Sequence, residues 1–88
     1  MYAVFSKVRI RSGQLDQAIE ILDNVLVPAT KALPGFVDAI WFGNGEVGHG
    51  VCVFDTEDQA RAMTKLEIPP DSPQELEFVE VYEVHGRA

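Results

Sequence analysis

The sequence predicts an α+β domain of βαββαβ order, a four-stranded antiparallel sheet with two helices on one face. Three observations carry this. Four stretches alternate in the period of two that strands show, and two others repeat apolar residues at steps of three and four. Between the two middle strand stretches lies Asn44-Gly45, a strong short-hairpin signal. The 88 residues, 47% apolar and 24% charged, suit one globular domain spanning 1–88.

The first strand runs from Tyr2 to Ile10, where Tyr2, Val4, Ser6, Val8 and Ile10 alternate with Ala3, Phe5, Lys7 and Arg9. Ser12-Gly13 breaks that pattern. Leu15, Ala18, Ile19, Leu22, Val25, Leu26, Ala29 and Leu33 then mark one apolar stripe of a long helix, with Asp16 in its first turn complementing the helix dipole. Pro28 removes a backbone donor and crowds the carbonyl of Asn24, so a kink is expected there before Leu33-Pro34-Gly35 ends the helix. Phe36 to Phe42 and Val47 to Phe54 form the middle strands. Thr56 and Gln59 match a capping box, followed by Ala60, Met63 and Leu66 on one face of a short second helix. Pro69 to Pro73 is a stiff loop, and Glu75 to Val84 is the last strand, with Gly86-Arg87-Ala88 fraying behind it.

Each strand carries apolar residues at both parities. In the last one, Leu76, Phe78, Tyr82 and Val84 oppose Val79 and Val81. Two helices cover one face of a sheet, and a broad apolar second face is unusual in a monomer, so a homodimer through the face away from the helices is expected. A domain this short also gains much from a partner, burying alone only about 60 to 65% of its unfolded surface.

A two-residue Asn44-Gly45 loop would pair Phe42 with Val47 and sort the hairpin by face. Val37, Ala39, Trp41, Gly48, Gly50, Cys52 and Phe54 would face the helices, the indole opposite Gly48. Phe36, Asp38, Ile40, Phe42, Val47, His49, Val51 and Val53 would share the other face. In that register Asp38 and His49 are diagonal neighbours, about 7 to 8 Å apart at the backbone. The chemistry this suggests is general base catalysis or proton relay by His49, with Asp38 fixing its tautomer. Phe36, Ile40, Phe42 and Val51, with Tyr82 of the last strand, would line a pocket for a small apolar or aromatic ligand.

Other chemistries find less support. Gly43 to Gly48 spells G-x-G-x-x-G, but a dinucleotide fingerprint needs a helix opening where a strand follows here. His49, His85, Asp38 and the single Cys52 have no close ligand spacing, so no metal and no cofactor are expected. Ser6, Ser12 and Ser72 sit in no nucleophile elbow. A net charge of −7 opposes nucleic acid and anionic lipid, and the Lys7, Arg9, Arg11 stripe is small. No apolar run reaches the roughly 18 residues of a membrane span, and no signal peptide is evident, so a cytoplasmic protein is expected.

Gly48-His49-Gly50-Val51-Cys52-Val53-Phe54 followed by DTEDQARAM resembles the third strand and second helix of an RNA-recognition motif. His49 and Val51 stand where that motif stacks bases on aromatic rings, and Val47 where it carries a basic residue. A closer resemblance spans the chain: VRIRSG ending the first strand, LPGF closing the long helix, VCVFDTEDQARAM, and VEVYEVHG in the last strand. These resemble the antibiotic biosynthesis monooxygenase-like family of the dimeric α/β barrel superfamily. The resemblance implies a ferredoxin-like subunit, two sheets paired face to face in a homodimer, and a pocket within the barrel or between sheet and helices. It also implies cofactor-independent oxygenation of an aromatic or quinol-type metabolite, with a non-catalytic small-molecule-binding or stress-associated dimer as the alternative.

Overall fold

The computed structural model describes residues 1–65 and 71–88. Strands β1 (Tyr2–Ile10), β2 (Phe36–Gly43), β3 (Val47–Phe54) and β4 (Gln74–Glu83) form one antiparallel sheet in the order β2-β3-β1-β4. Helical segments α1 (Leu15–Ile21), a π-helical turn (Leu22–Leu26) and α2 (Val27–Lys31) run on without a break between β1 and β2, and α3 (Glu57–Met63) joins β3 to β4. Leu66, Pro69 and Pro70, expected in the second helix and the loop after it, lie outside the described residues.

The kink expected at Pro28 takes the form of the π-helical turn. Proline offers no N–H, and in a regular α-helix its ring would press on the Asn24 carbonyl. The preceding turn widens instead, with the Val27 N–H bonding to the carbonyl of Leu22, five residues back. Gly35, at φ +76°, then turns the chain into β2, and its carbonyl accepts from the Asp55 N–H at 3.0 Å.

At α3 the capping box forms in full: Thr56 Oγ1 accepts from the Gln59 N–H, and Gln59 Oε1 from the Thr56 N–H, both at 3.2 Å. The core sits under this helix. Val4, Cys52, Phe54 and Ala60 are buried together, with Tyr2, Leu33, Phe36, Ala39, Trp41, Met63, Val79 and Val81 packed around them. Helix α3 lies directly on β1, β3 and β4, whereas no segment of the longer helix approaches the sheet as closely.

The hairpin register differs from the expected one. Only Gly45 has positive φ, +95°, which fits a turn with glycine first in the central pair and not the Asn-Gly turn that needs positive φ twice. Gly45-Glu46 is the central pair, with the Asn44 N–H bonding to the Val47 carbonyl and Asn44 Oδ1 accepting from Glu46 and Val47 at 3.0 and 2.9 Å. Pairing therefore slides by two residues: Phe42 faces His49, and Trp41 faces Gly50 instead of Gly48. A slide of two preserves the faces, because side chains alternate with period two.

Two irregularities move single residues across the sheet. Between Phe36 and Asp38 the register shifts, so Phe36 pairs with Phe54 and packs edge-on against it, ring centroids 6.1 Å apart, in the core under the helices. The expected place of Phe36 in a pocket on the other face is thereby corrected. Between Lys7 and Val8 a second shift brings Leu76 opposite Val8, on the helix side, while Phe78 stays opposite Lys7.

Candidate functional site

The sheet face away from the helices carries an aromatic row. His49 stacks on Phe5 with centroids 5.5 Å apart and planes within 6°, and Phe42 tilts against its other side at 5.4 Å. Phe78 continues the row from Phe5 at 5.5 Å, so the rings cross all four strands. Ile40, Phe42 and Tyr82 are 60%, 50% and 51% exposed, and Val51 stands beside Ile40 in the strand pairing. Ile40, Phe42, Val51 and Tyr82 thus share the expected face. Tyr82, however, lies on the opposite edge strand from Ile40 and Phe42 and donates its hydroxyl to Glu80 at 2.6 Å.

The expected contact between Asp38 and His49 does not form. Asp38 pairs with Val53, four positions along β2 from Phe42, which faces His49. At about 3.3 Å per residue that is some 13 Å of strand. Asp38 instead accepts from the Ala39 N–H at 2.9 Å and lies 4.0 Å from Arg87. His49 Nδ1 is buried, with no hydrogen-bond partner among the described residues. Two cations of the basic stripe beside this row share one carboxylate: Lys7 and Arg9 meet Glu77 at 3.1 and 2.7 Å, and their hydrogen bonds hold its carboxyl below the usual range.

On the other face the stand-off of the long helix leaves a cavity of about 500 Å³. Val4, Val8, Leu15, Leu22, Leu26 and Trp41 supply much of its wall. Gly48 and Gly50 border it with bare backbone, closely flanked by Val8 at the first and by Trp41 and Ser6 at the second. Trp41 folds over Gly50, where a Cβ would come within 2.9 Å of the indole. The wall includes His49, but its ring stacks on the far side, so the strand backbone between the two glycines is what borders the cavity. Cys52 also touches this space; burial pushes its thiol up to about 11, so it carries a proton at neutral pH. No Asp, Glu, Lys or Arg lines the cavity among the described residues.

Among the described residues no group of three or more His, Cys, Asp or Glu side chains is placed to hold a metal ion, and no helix is long and apolar enough to cross a membrane. No family model and no curated protein matches the chain. A solved structure does: a protein from Chloroflexus aurantiacus J-10-fl, provisionally named an antibiotic biosynthesis monooxygenase, superposes with a TM-score of 0.68 at 20% identity. The match covers 99% of this chain and 96% of that one. The two share a fold. It is the ferredoxin-like α+β arrangement of four antiparallel strands with helices on one face, and both chains occupy it from end to end.

Proposed function

We propose that this chain is a monooxygenase-like homodimer that encloses an uncharged aromatic or quinol-type metabolite in the cavity between sheet and long helix. The observation that carries the reading is the cavity itself, about 500 Å³, walled by apolar side chains and free of ionised ones among the described residues. A space of about 150 Å³ suffices for benzene, so this one has room for two or three fused rings. The second copy is assigned to the open sheet face, where Ile40, Phe42 and Tyr82 stand at least half exposed. Trp41, the only tryptophan, is on the cavity wall, so its emission reports occupancy. A saturable change at one uncharged polycyclic aromatic per chain supports the reading, and the absence of one rules it out.

A second reading is favoured by the place of His49 in the aromatic row of the open sheet face, between Phe5 and Phe42. In it the substrate sits between the paired sheets, and His49 removes a proton from a CH₂ group flanked by aromatic rings. The carbanion reacts with O₂, one oxygen atom entering the product as a carbonyl and the other leaving as water with the two substrate hydrogens. Substrate supplies all the electrons, and the protein supplies deprotonation and exclusion of water. Asp38 has no part in this version, since it stands too far away to orient the imidazole. Oxygen uptake with a quinol-type probe, lost in His49→Ala, distinguishes it from simple binding.

A further inference from the structure

Among the polar side chains of the cavity wall, two approach one another across a glycine. Ser6, Gly50 and Trp41 stand in one row across β1, β3 and β2, each paired with its neighbour, and all three border the cavity. A Cβ built on Gly50 would lie 3.0 Å from Ser6 Oγ and 3.0 Å from Trp41 Nε1. The hydroxyl and the indole N–H thus flank one bare stretch of backbone. Neither has a hydrogen-bond partner among the described residues, and neither is sealed off as His49 Nδ1 is.

Other polar groups of the wall are placed differently. Thr30 comes from α2 and Gln74 from the start of β4, while the Thr64 hydroxyl already donates to the Arg61 carbonyl at 2.6 Å. At Gly50 two side-chain groups approach one point of an apolar surface.

Their chemistry narrows the ligand. An indole N–H donates and cannot accept, so the ligand atom it meets must be an acceptor; a serine hydroxyl does either. A ketone oxygen accepts from both, and a phenolic hydroxyl accepts from the indole while donating to the serine. A carboxylate or ammonium would enter an apolar space with no opposite charge on its described wall, which is strongly unfavourable.

We propose that Ser6 and Trp41 form a polar clamp across Gly50 that holds one uncharged oxygen, a phenolic hydroxyl or ketone, of an otherwise apolar ligand of two or three fused rings. This rests on the reading of the cavity as the ligand site. Gly50 is then a specificity element, because any side chain there would displace the indole and fill the space between the two groups.

The test is calorimetric titration of the full chain and of its Ser6→Ala and Trp41→Phe variants with naphthalene, 1-naphthol and 1-naphthoate, far-UV circular dichroism confirming that each variant folds. In the unaltered protein 1-naphthol should bind about tenfold more tightly than naphthalene, the worth of one or two net hydrogen bonds, and 1-naphthoate at least about a hundredfold more weakly than 1-naphthol. Each substitution should cut the ratio of naphthol to naphthalene affinity by roughly three- to tenfold, whatever it does to naphthalene binding itself. If naphthalene binds but the naphthol advantage is missing, or persists in both variants, the clamp is overturned and the cavity reading stands. Naphthoate binding as tightly as naphthol overturns the uncharged class. If neither neutral probe binds, the cavity reading falls and the clamp with it.

Discussion

His49 and Phe5 stack with their planes within 6° and their centroids 5.5 Å apart, and the buried Nδ1 of that imidazole has no hydrogen-bond partner among the described residues. An unsatisfied buried donor or acceptor costs about 1 to 3 kcal/mol, whereas a phenyl ring would keep the stack without that cost. His49→Phe should therefore leave the folded chain as stable or more stable, by up to about 1 kcal/mol in urea titration. If the imidazole serves as a base, the same variant consumes no oxygen with a quinol-type probe. A variant that is both destabilised and inactive would speak for a structural role.

Ile40 is 60% exposed on an aromatic-rich face that the helices do not cover. In a homodimer paired through this face, Ile40→Glu would bury an unpaired carboxylate, a cost of several kcal/mol. Light scattering over a dilution series should show a dimer of the 9.7 kDa chain for the native sequence and a monomer for the variant. A native chain that is monomeric at every concentration ends the dimer reading.

Cys52 is 1% exposed, and burial pushes its thiol from 9.0 up to about 11. The folded state thus holds the proton that the unfolded chain gives up first. The contribution is fully present below about pH 9 and is lost as pH rises through about 11. Two pKa units correspond to about 2 to 3 kcal/mol. Between pH 8 and pH 11 the native chain should lose that much more stability in urea than Cys52→Ala does. Equal slopes would show that the thiol titrates as an exposed group.

Gly35 has φ +76°, and a Cβ there would fall on the Gln59 carboxamide. In Gly35→Ala the left-handed backbone costs about 1 to 2 kcal/mol, and the displaced Gln59 gives up its half of the capping box. A loss of about 2 kcal/mol overall lowers the melting temperature by roughly 8 to 16 °C in a domain of this size. Calorimetric melting checks it, and a change under about 2 °C would show that the turn relaxes freely.

Much of the architecture was legible in the residues. The bounds of β1 and β3, the cap at Thr56 and the two-faced character of the sheet follow from alternation and from side chains that bond their own backbone. The candidate site was less so, because it depended on pairing, and pairing was decided by one turn. Asn44 is outside the central pair and uses its carboxamide to hold Glu46 and Val47, which slides the hairpin by two residues and takes Asp38 away from His49. The irregularities that relocated Phe36 and Leu76 leave no local signature, since they answer to packing on neighbouring strands. Gly48 and Gly50 were visible throughout, but whether they mark a void or a close contact depends on how near the helix comes. At Gly50 both hold: Trp41 covers it from the side, and the cavity lies in front.

The wide turn at Leu22–Leu26 has an evolutionary corollary. A π-helical turn holds one residue more than an α-helical path between the same two ends, so the stretches on either side keep their orientation whether or not that residue is there. Leu15 and Ala18 before it and Thr30 after it all border the cavity, and a proteins-of-one-fold comparison that lacks one position between Leu22 and Leu26 would still superimpose on all three. A one-residue gap opened within that turn leaves the flanking stretches in phase, whereas the same gap inside α1 or α2 would turn the residues beyond it by about 100° around the helix axis.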